Sequence, residues 1–285
     1  WICKGIFSCI VLGFVYVDVY EKRPLISLFK LFQSNSSLEV VDHSIKDIEF
    51  NDDVISSNED RNPYYGDLHV HTKHSFDAYI FGVTASPDDA YDWAKGKTIK
   101  HPLGYYMKND VPLDFYAVTD HGFFMGMMQA YADPNGKMSK QDFTKVFHNL
   151  NEPENLTIES AGKRSDIFSS ILAAAIIDPY PDWHPKLLGA YFNRHIQSAL
   201  KAFDDDIHKS AWADVARAAE EHNDPGKFTT FIGYEFTTST NVEGGNLHRN
   251  VIFEGSKAPI RPWTRIDSIN PEDLWTWQDT LRDRG

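Results

Sequence analysis

The stretch GDLHVHTKHSFDA, residues 66–78, sets three histidines and two aspartates into thirteen positions. Its first part reads as a strand over Asp67 to Thr72. Side chains on a strand alternate faces with a period of two, so Asp67, His69 and His71 point the same way. Neighbouring imidazoles are poor core filler and good cation donors. Taken alone, His-x-His on a strand suits either a metal site or histidines that are surface-exposed or otherwise satisfied.

The segments that follow repeat the theme. Ser86-Pro87-Asp88-Asp89 is a helix start, with Ser as N-cap, Pro at the first helical position and acids in the first turn. The apolar strand Leu113 to Thr119 ends in Asp120-His121. Residues Ala211 to His222 form an amphipathic helix with Trp212, Val215, Ala216 and Ala219 on one stripe. Strand Phe228 to Glu235 ends in a carboxylate, and strand His248 to Phe253 opens with an imidazole. A last helix starts at Asn270-Pro271 and runs to about Arg284. Strands separated by helices predict parallel pairing, hence an α/β sheet or barrel. In such a barrel the C-terminal strand ends converge on one face. Several strand ends that each carry a metal-type ligand then favour a metal site over hydrogen-bonded histidines.

The 285 residues suffice for one large domain or two ordinary ones, and the 42% apolar and 14% aromatic content suffices for a core. A net charge of −13 argues against gripping nucleic acid through its phosphates. The two cysteines, Cys3 and Cys9, permit neither a disulfide framework nor a thiolate zinc site, so any metal must be held by histidine and carboxylate. The apolar run Gly5 to Val17 is shorter than the ~20 residues of a membrane span. It reads as the core of an anchor or signal segment over residues 1–32, or else as a buried element of the fold. The expected location is accordingly membrane-anchored or exported to a periplasm. Residues 33–62 are polar and read as a linker; the folded domain is expected over residues 63–285.

The motifs YGDLHVHT with the following SFD, then AVTDH, GYEFT and NLHRNVIF resemble the polymerase-and-histidinol-phosphatase (PHP) superfamily. They resemble more closely its bacterial relatives named domain of unknown function 3604. The resemblance runs from about Tyr64 to the last residue. It implies a distorted, seven-stranded, TIM-like β/α barrel with two or three metal ions at its C-terminal mouth. It also implies the ligands: His69, His71, the residue six further on, Asp77, then His121, Glu235 and His248. The family pattern continues with another histidine and Asp-x-His, but no histidine follows His248. The expectation is that only the N-terminal part of the barrel is present, truncated at its C-terminus; a degenerate pseudoenzyme is the alternative. Residues 63–285 alone are then expected to bind metal weakly and turn over little. More than a hundred residues separate His121 from Glu235, which resembles a mostly helical insertion over about 123–225, a candidate lid or substrate wall. His148, His184, His195 and His208 lie there without ligand spacing and read as ordinary surface or packing residues. His74 reads as an exposed turn residue.

Further roles follow from chemistry. Arg249 is either a bidentate clamp for phosphate or sulfate or half of a structural salt bridge. Asn250 stands beside it as a supporting residue. Asp67 is a candidate to orient a ligand histidine. Asp120 is a candidate to do the same for His121 or to touch metal; it and Arg249 are the catalytic candidates. A histidine and carboxylate donor set suits divalent Zn, Mn or Fe, two or three ions here, better than Ca or Mg alone. The expected function is a metal-dependent hydrolase of phosphoesters or related anionic esters, acting through a metal-bound hydroxide. Amide, lactone or sulfate-ester hydrolysis is a rival, as is a membrane-tethered, non-catalytic metal-binding module. The expected partner is a small anionic substrate, with membrane attachment through the N-terminal segment and no nucleic acid. Oligomeric state leaves no trace in the sequence.

Overall fold

The computed structural model describes residues 38–45, 61–175, 202–240, 245–267 and 271–283. Within them the order is β1 (Val40–Asp42), β2 (Gly66–Val70), α1 (Phe76–Ile80), α2 (Pro87–Ala94), β3 (Thr98–Lys100), β4 (Tyr106–Lys108), β5 (Phe115–Val118), α3 (Met127–Ala132), α4 (Ala161–Ala175), α5 (Asp205–His222), β6 (Thr229–Thr230), β7 (Gly233–Thr240), β8 (Gly245–Ile252), β9 (Lys257–Pro259) and α6 (Pro271–Arg282). Short 3₁₀ turns lie between α3 and α4.

The mixed α/β class is as expected. Strands β2, β5 and β6 form a parallel sheet in that spatial order, with Asp67 opposite Tyr116 and Phe115 opposite Thr229. Beyond β6 the chain steps at Phe231 and Ile232 and continues as β7 past the end of β5. There His121 and Glu235 form a parallel bridge. The single strand expected over Phe228 to Glu235 is thus two strands, because its halves pair with different stretches of the β5 segment.

The pairing of the last two long strands corrects one expectation. Strands β7 and β8 are an antiparallel hairpin, with Glu235 opposite Asn250 and Thr237 opposite His248. Only residues 241–244 separate them, too few for a parallel crossover. Among the described residues the strands also form separate sheets, with no closed barrel. Val40–Asp42, inside the segment read as a linker, pairs antiparallel with β9.

Local rules account for the helices. Ser86 accepts from the Asp89 N–H, and the Asp89 carboxylate reaches back to the Ser86 N–H, a reciprocal cap that fixes the start of α2. Helix α5 begins earlier than expected, because Asp204 caps it by accepting from the N–H groups of Asp206 and Ile207. Its stripe of Trp212, Val215, Ala216 and Ala219 packs on Tyr116, Val118 and Tyr234 of the sheet, all buried. Each such large side chain contributes about 1.5–3 kcal/mol by leaving water. A second core gathers Phe76, Phe123, Met127, Tyr131, Phe147 and Ile167 beside the first. At Gly126 the two cores meet: φ is 76°, and a Cβ there would lie 2.5 Å from that of Ala211.

The apolar run Gly5 to Val17, His184, His195 and the expected cap Asn270 lie outside the described residues. No helix among the described residues is long and apolar enough to cross a membrane.

Candidate metal centre

The parallel strands end together, and their ends carry the donors. Strand β2 brings His69 and leads to His71. The segment after β5 brings His121, and the bridge to β7 sets Glu235 beside it. Strand pairing then fixes the hairpin's contribution. Residues directly opposite share a face, so Glu235, Thr237, His248 and Asn250 look one way, while Phe236 and Arg249 look the other. Asp77 arrives from the first turn of α1.

Glu235 is the hub. Its Oε2 lies 3.0 Å from His69 Nε2, 2.8 Å from His71 Nε2 and 3.3 Å from His121 Nδ1. Its Oε1 contacts His248 Nδ1. Asp77 is a second acidic corner, 3.3 Å from His71 Nδ1 and 3.4 Å from His121 Nε2. All six expected ligand residues are therefore brought together. They form three overlapping donor sets: His69, His71 and Glu235; His71, Asp77 and His121; His121, Glu235 and His248, with donor atoms within 4.8 Å of one another in each.

The centre has a closed floor and an open rim. Glu235 and His121 are buried, whereas the His69 side chain is 56% exposed. Burial would raise the Glu235 pKa, but the His71 hydrogen bond and the neighbouring imidazoles outweigh it and hold the carboxyl at about 2. Burial opposes charge on His71, yet its bonds to Asp77 and Glu235 lift it to about 10. Asp77 is likewise held well below the usual carboxylate range by His121 and His71 against its own burial. The two carboxylates are thus held ionised by the imidazole hydrogen bonds around them. A divalent cation would do the same, and the mixed donor set fits Zn, Mn or Fe.

Supporting residues were less legible. Asp120 is fully buried, and its carboxylate accepts from the backbone N–H of Thr72 and, at 2.7 Å, from the Thr72 hydroxyl. It pins the turn after His71. Asp67 accepts from the backbone N–H of His69 at 2.9 Å, so it shapes the strand and not the ring. Asn250 donates to Leu68 O at 2.7 Å and ties β8 to β2 next to His69. Arg249 is turned away from the donors, with its guanidinium 6.0 Å from the Trp275 ring centre. His248 and Arg249 are consecutive, so strand alternation puts Arg249 on the face opposite the donors. His74 is buried, not exposed, with Nε2 2.9 Å from Asp214. Of the histidines read as packing residues, His208 is buried against Gly122 O and His148 contacts Ser139 O.

Two hydroxyls were missed. Thr237 Oγ1 is 2.5 Å from His121 Nδ1. Ser75 Oγ contacts Asp77 and His71 and accepts from the His121 N–H at 3.3 Å. The one sequence signal available was the pleat, which puts Thr237 two residues from Glu235 on the same face.

The family described as Protein of unknown function (DUF3604) matches residues 58–285. No curated protein and no solved structure matches the chain.

Proposed function

The chain belongs to the DUF3604 family, and from its candidate centre we propose that it is a metal-dependent hydrolase of phosphoesters or related anionic esters. The convergence of His69, His71, Asp77, His121 and His248 around the buried Glu235 carries the proposal. Three overlapping donor sets suit two or three ions, and His71, His121 and Glu235 would be shared between sites. When bound, Zn, Mn or Fe would lower the pKa of water toward neutrality and stabilise negative charge on the reacting oxygens. Parallel strands with donors at their C-terminal ends also suit the open part of a PHP-like barrel, the finer fold expected from the motifs.

The chain's own residues have separable tasks. Glu235 and Asp77 keep their carboxylates ionised. Thr237 and Ser75 hold His121 and Asp77 in orientation. Asp120 fixes the Thr72 turn that follows His71. His69, half-exposed at the rim, leaves that side open for a substrate to approach. No serine or cysteine nucleophile is required.

A second reading, hydrolysis of a neutral amide or lactone, is favoured by one observation: Arg249 faces away from the donors. An anionic substrate would therefore depend on the ions for its charge recognition.

The test is elemental analysis of the protein purified without added metal, beside a His69→Ala/His71→Ala variant, followed by a screen of phosphoesters, sulfate esters, amides and lactones. Two or more Mn, Zn or Fe per chain, lost in the variant, with phosphoester turnover is the expected result. Metal without ester hydrolysis but with amide or lactone turnover would select the second reading. No metal in either protein would overturn both.

A further inference from the structure

We propose that the end of the sheet opposite the metal centre docks on an anionic lipid membrane, with the β3–β4 hairpin as its contact element. The hairpin lies between α2 and β5, where the parallel strands begin. Leu113 N–H bonds Ala94 O as the chain returns from it, and Asp114 N–H bonds Tyr65 O, which brings the entry to β2 to the same end. The metal donors sit where β2 and β5 finish.

This end exposes large apolar side chains together. Tyr64 and Tyr65 precede β2, Leu103 and Tyr105 occupy the hairpin turn, and Tyr106 and Val111 are each 72% exposed. The turn has defined geometry: Gly104 takes φ 92°, and His101 stacks on Tyr105 with ring centres 4.2 Å apart. Cross-strand pairing sets Lys100 opposite Tyr106 and Lys108 opposite Thr98, so both lysines share a face with the exposed tyrosine. Among the described residues no carboxylate pairs with Lys100 or Lys108, whereas Lys97 is taken by Asp92. Residues 92–111 hold Lys95, Lys97, Lys100 and Lys108 against Asp92 and Asp110, a local charge of +2 in a chain of −13.

Tyrosines and aliphatic side chains flanked by unpaired lysines match the headgroup region of an anionic bilayer, where amphipathic rings and cationic tips are both accommodated. A second copy of the chain fits less well, since a two-fold contact through this face would set lysine against lysine. The sequence also carries the apolar run Gly5 to Val17, which points to a membrane as the anionic surface concerned. Docked this way, the metal centre would face away from the lipid. The inference does not depend on what the centre catalyses.

The experiment is lysine acetylation of the full chain, read by peptide mass spectrometry. It is run alone, with phosphatidylcholine vesicles, and with equimolar phosphatidylcholine and phosphatidylglycerol vesicles. The expected result is a severalfold loss of labelling at Lys100 and Lys108 with the anionic vesicles only, with Lys145 unchanged. A Tyr105→Ser/Tyr106→Ser variant should lose that protection. Equal labelling in all three conditions would overturn the proposal. So would equal protection by both vesicle types. Protection without vesicles that grows with protein concentration would identify a second copy as the occupant instead.

Discussion

His121 and Glu235 stand side by side across a parallel bridge, and this pairing holds the floor of the candidate centre. Gly122 N–H donates to Glu235 O and Glu235 N–H to Asp120 O, each at 2.9 Å. Two backbone hydrogen bonds therefore lock a buried imidazole and a buried carboxylate 3.3 Å apart. The donors on β2, β8 and α1 then close around a pair that is already in place. Preorganisation of this kind lowers the cost of binding, because little conformational freedom remains to be lost.

Thr237 should tune that floor without supplying a donor of its own. Thr237→Val removes the hydroxyl beside His121 Nδ1. Metal affinity, measured by chelator competition, should fall about 10–100-fold, the usual cost of losing a residue that orients a ligand. Thr237→Ser should restore it. Unchanged affinity in the valine variant would show that the hydroxyl does not orient the ring.

Arg249→Ala should leave metal content untouched, because the side chain is on the far face of β8. The loss is packing on Trp275, about 1 kcal/mol of stability in a urea titration. A selective loss of affinity for anionic substrates, with stability intact, would return Arg249 to the site.

His208 should make the fold sensitive to acid. Burial holds its ring neutral, with a pKa of about 4 against an ordinary 6.5. The unfolded chain takes up this proton below about 6.5 and the folded protein only below about 4, so the group's contribution is complete above the first value and lost as pH falls to the second. Over that window it amounts to about 3 kcal/mol. Urea midpoints measured across the window should fall less steeply for His208→Gln than for the parent protein. Identical slopes would contradict the assignment.

Gly126→Ala tests the junction of the two cores. Both the positive φ and the 2.5 Å approach to Ala211 oppose a side chain, and the melting temperature should report a loss of about 2–4 kcal/mol. Gly104→Ala is the comparison: φ is positive there too, but nothing lies within 4 Å, so the loss should be only about 1–2 kcal/mol. Equal losses would mean that the close approach is not felt.

Much of the candidate centre was legible because its chemistry is local. His69 and His71 share a strand face by the pleat, and the apolar strand around Val118 announces the His121 that follows it. Ser86 caps its helix through bonds that span three residues. The buried stripe of α5 follows from helical period alone. These features depend on neighbours within a few residues, and one chain contains that information. Glu235 and His248 stand out as strand-end donors and Asp77 follows from motif resemblance, but no local rule places the three near one another.

What only the tertiary structure decided depends on which segments meet, and in which register. Whether β8 runs parallel or antiparallel to β7 determines that His248 faces Glu235 while Arg249 does not. The split between β6 and β7 arises because β6 pairs with β5, whereas β7 meets that segment only beyond it, at His121. The hydroxyls of Thr237 and Ser75 carry no charge and no periodic signal, so their roles appear only when an imidazole arrives from another strand. His74 is buried because Asp214, 140 residues later, supplies its partner. Pairing between distant segments is settled by the burial of whole faces, and no single stretch of sequence encodes that sum.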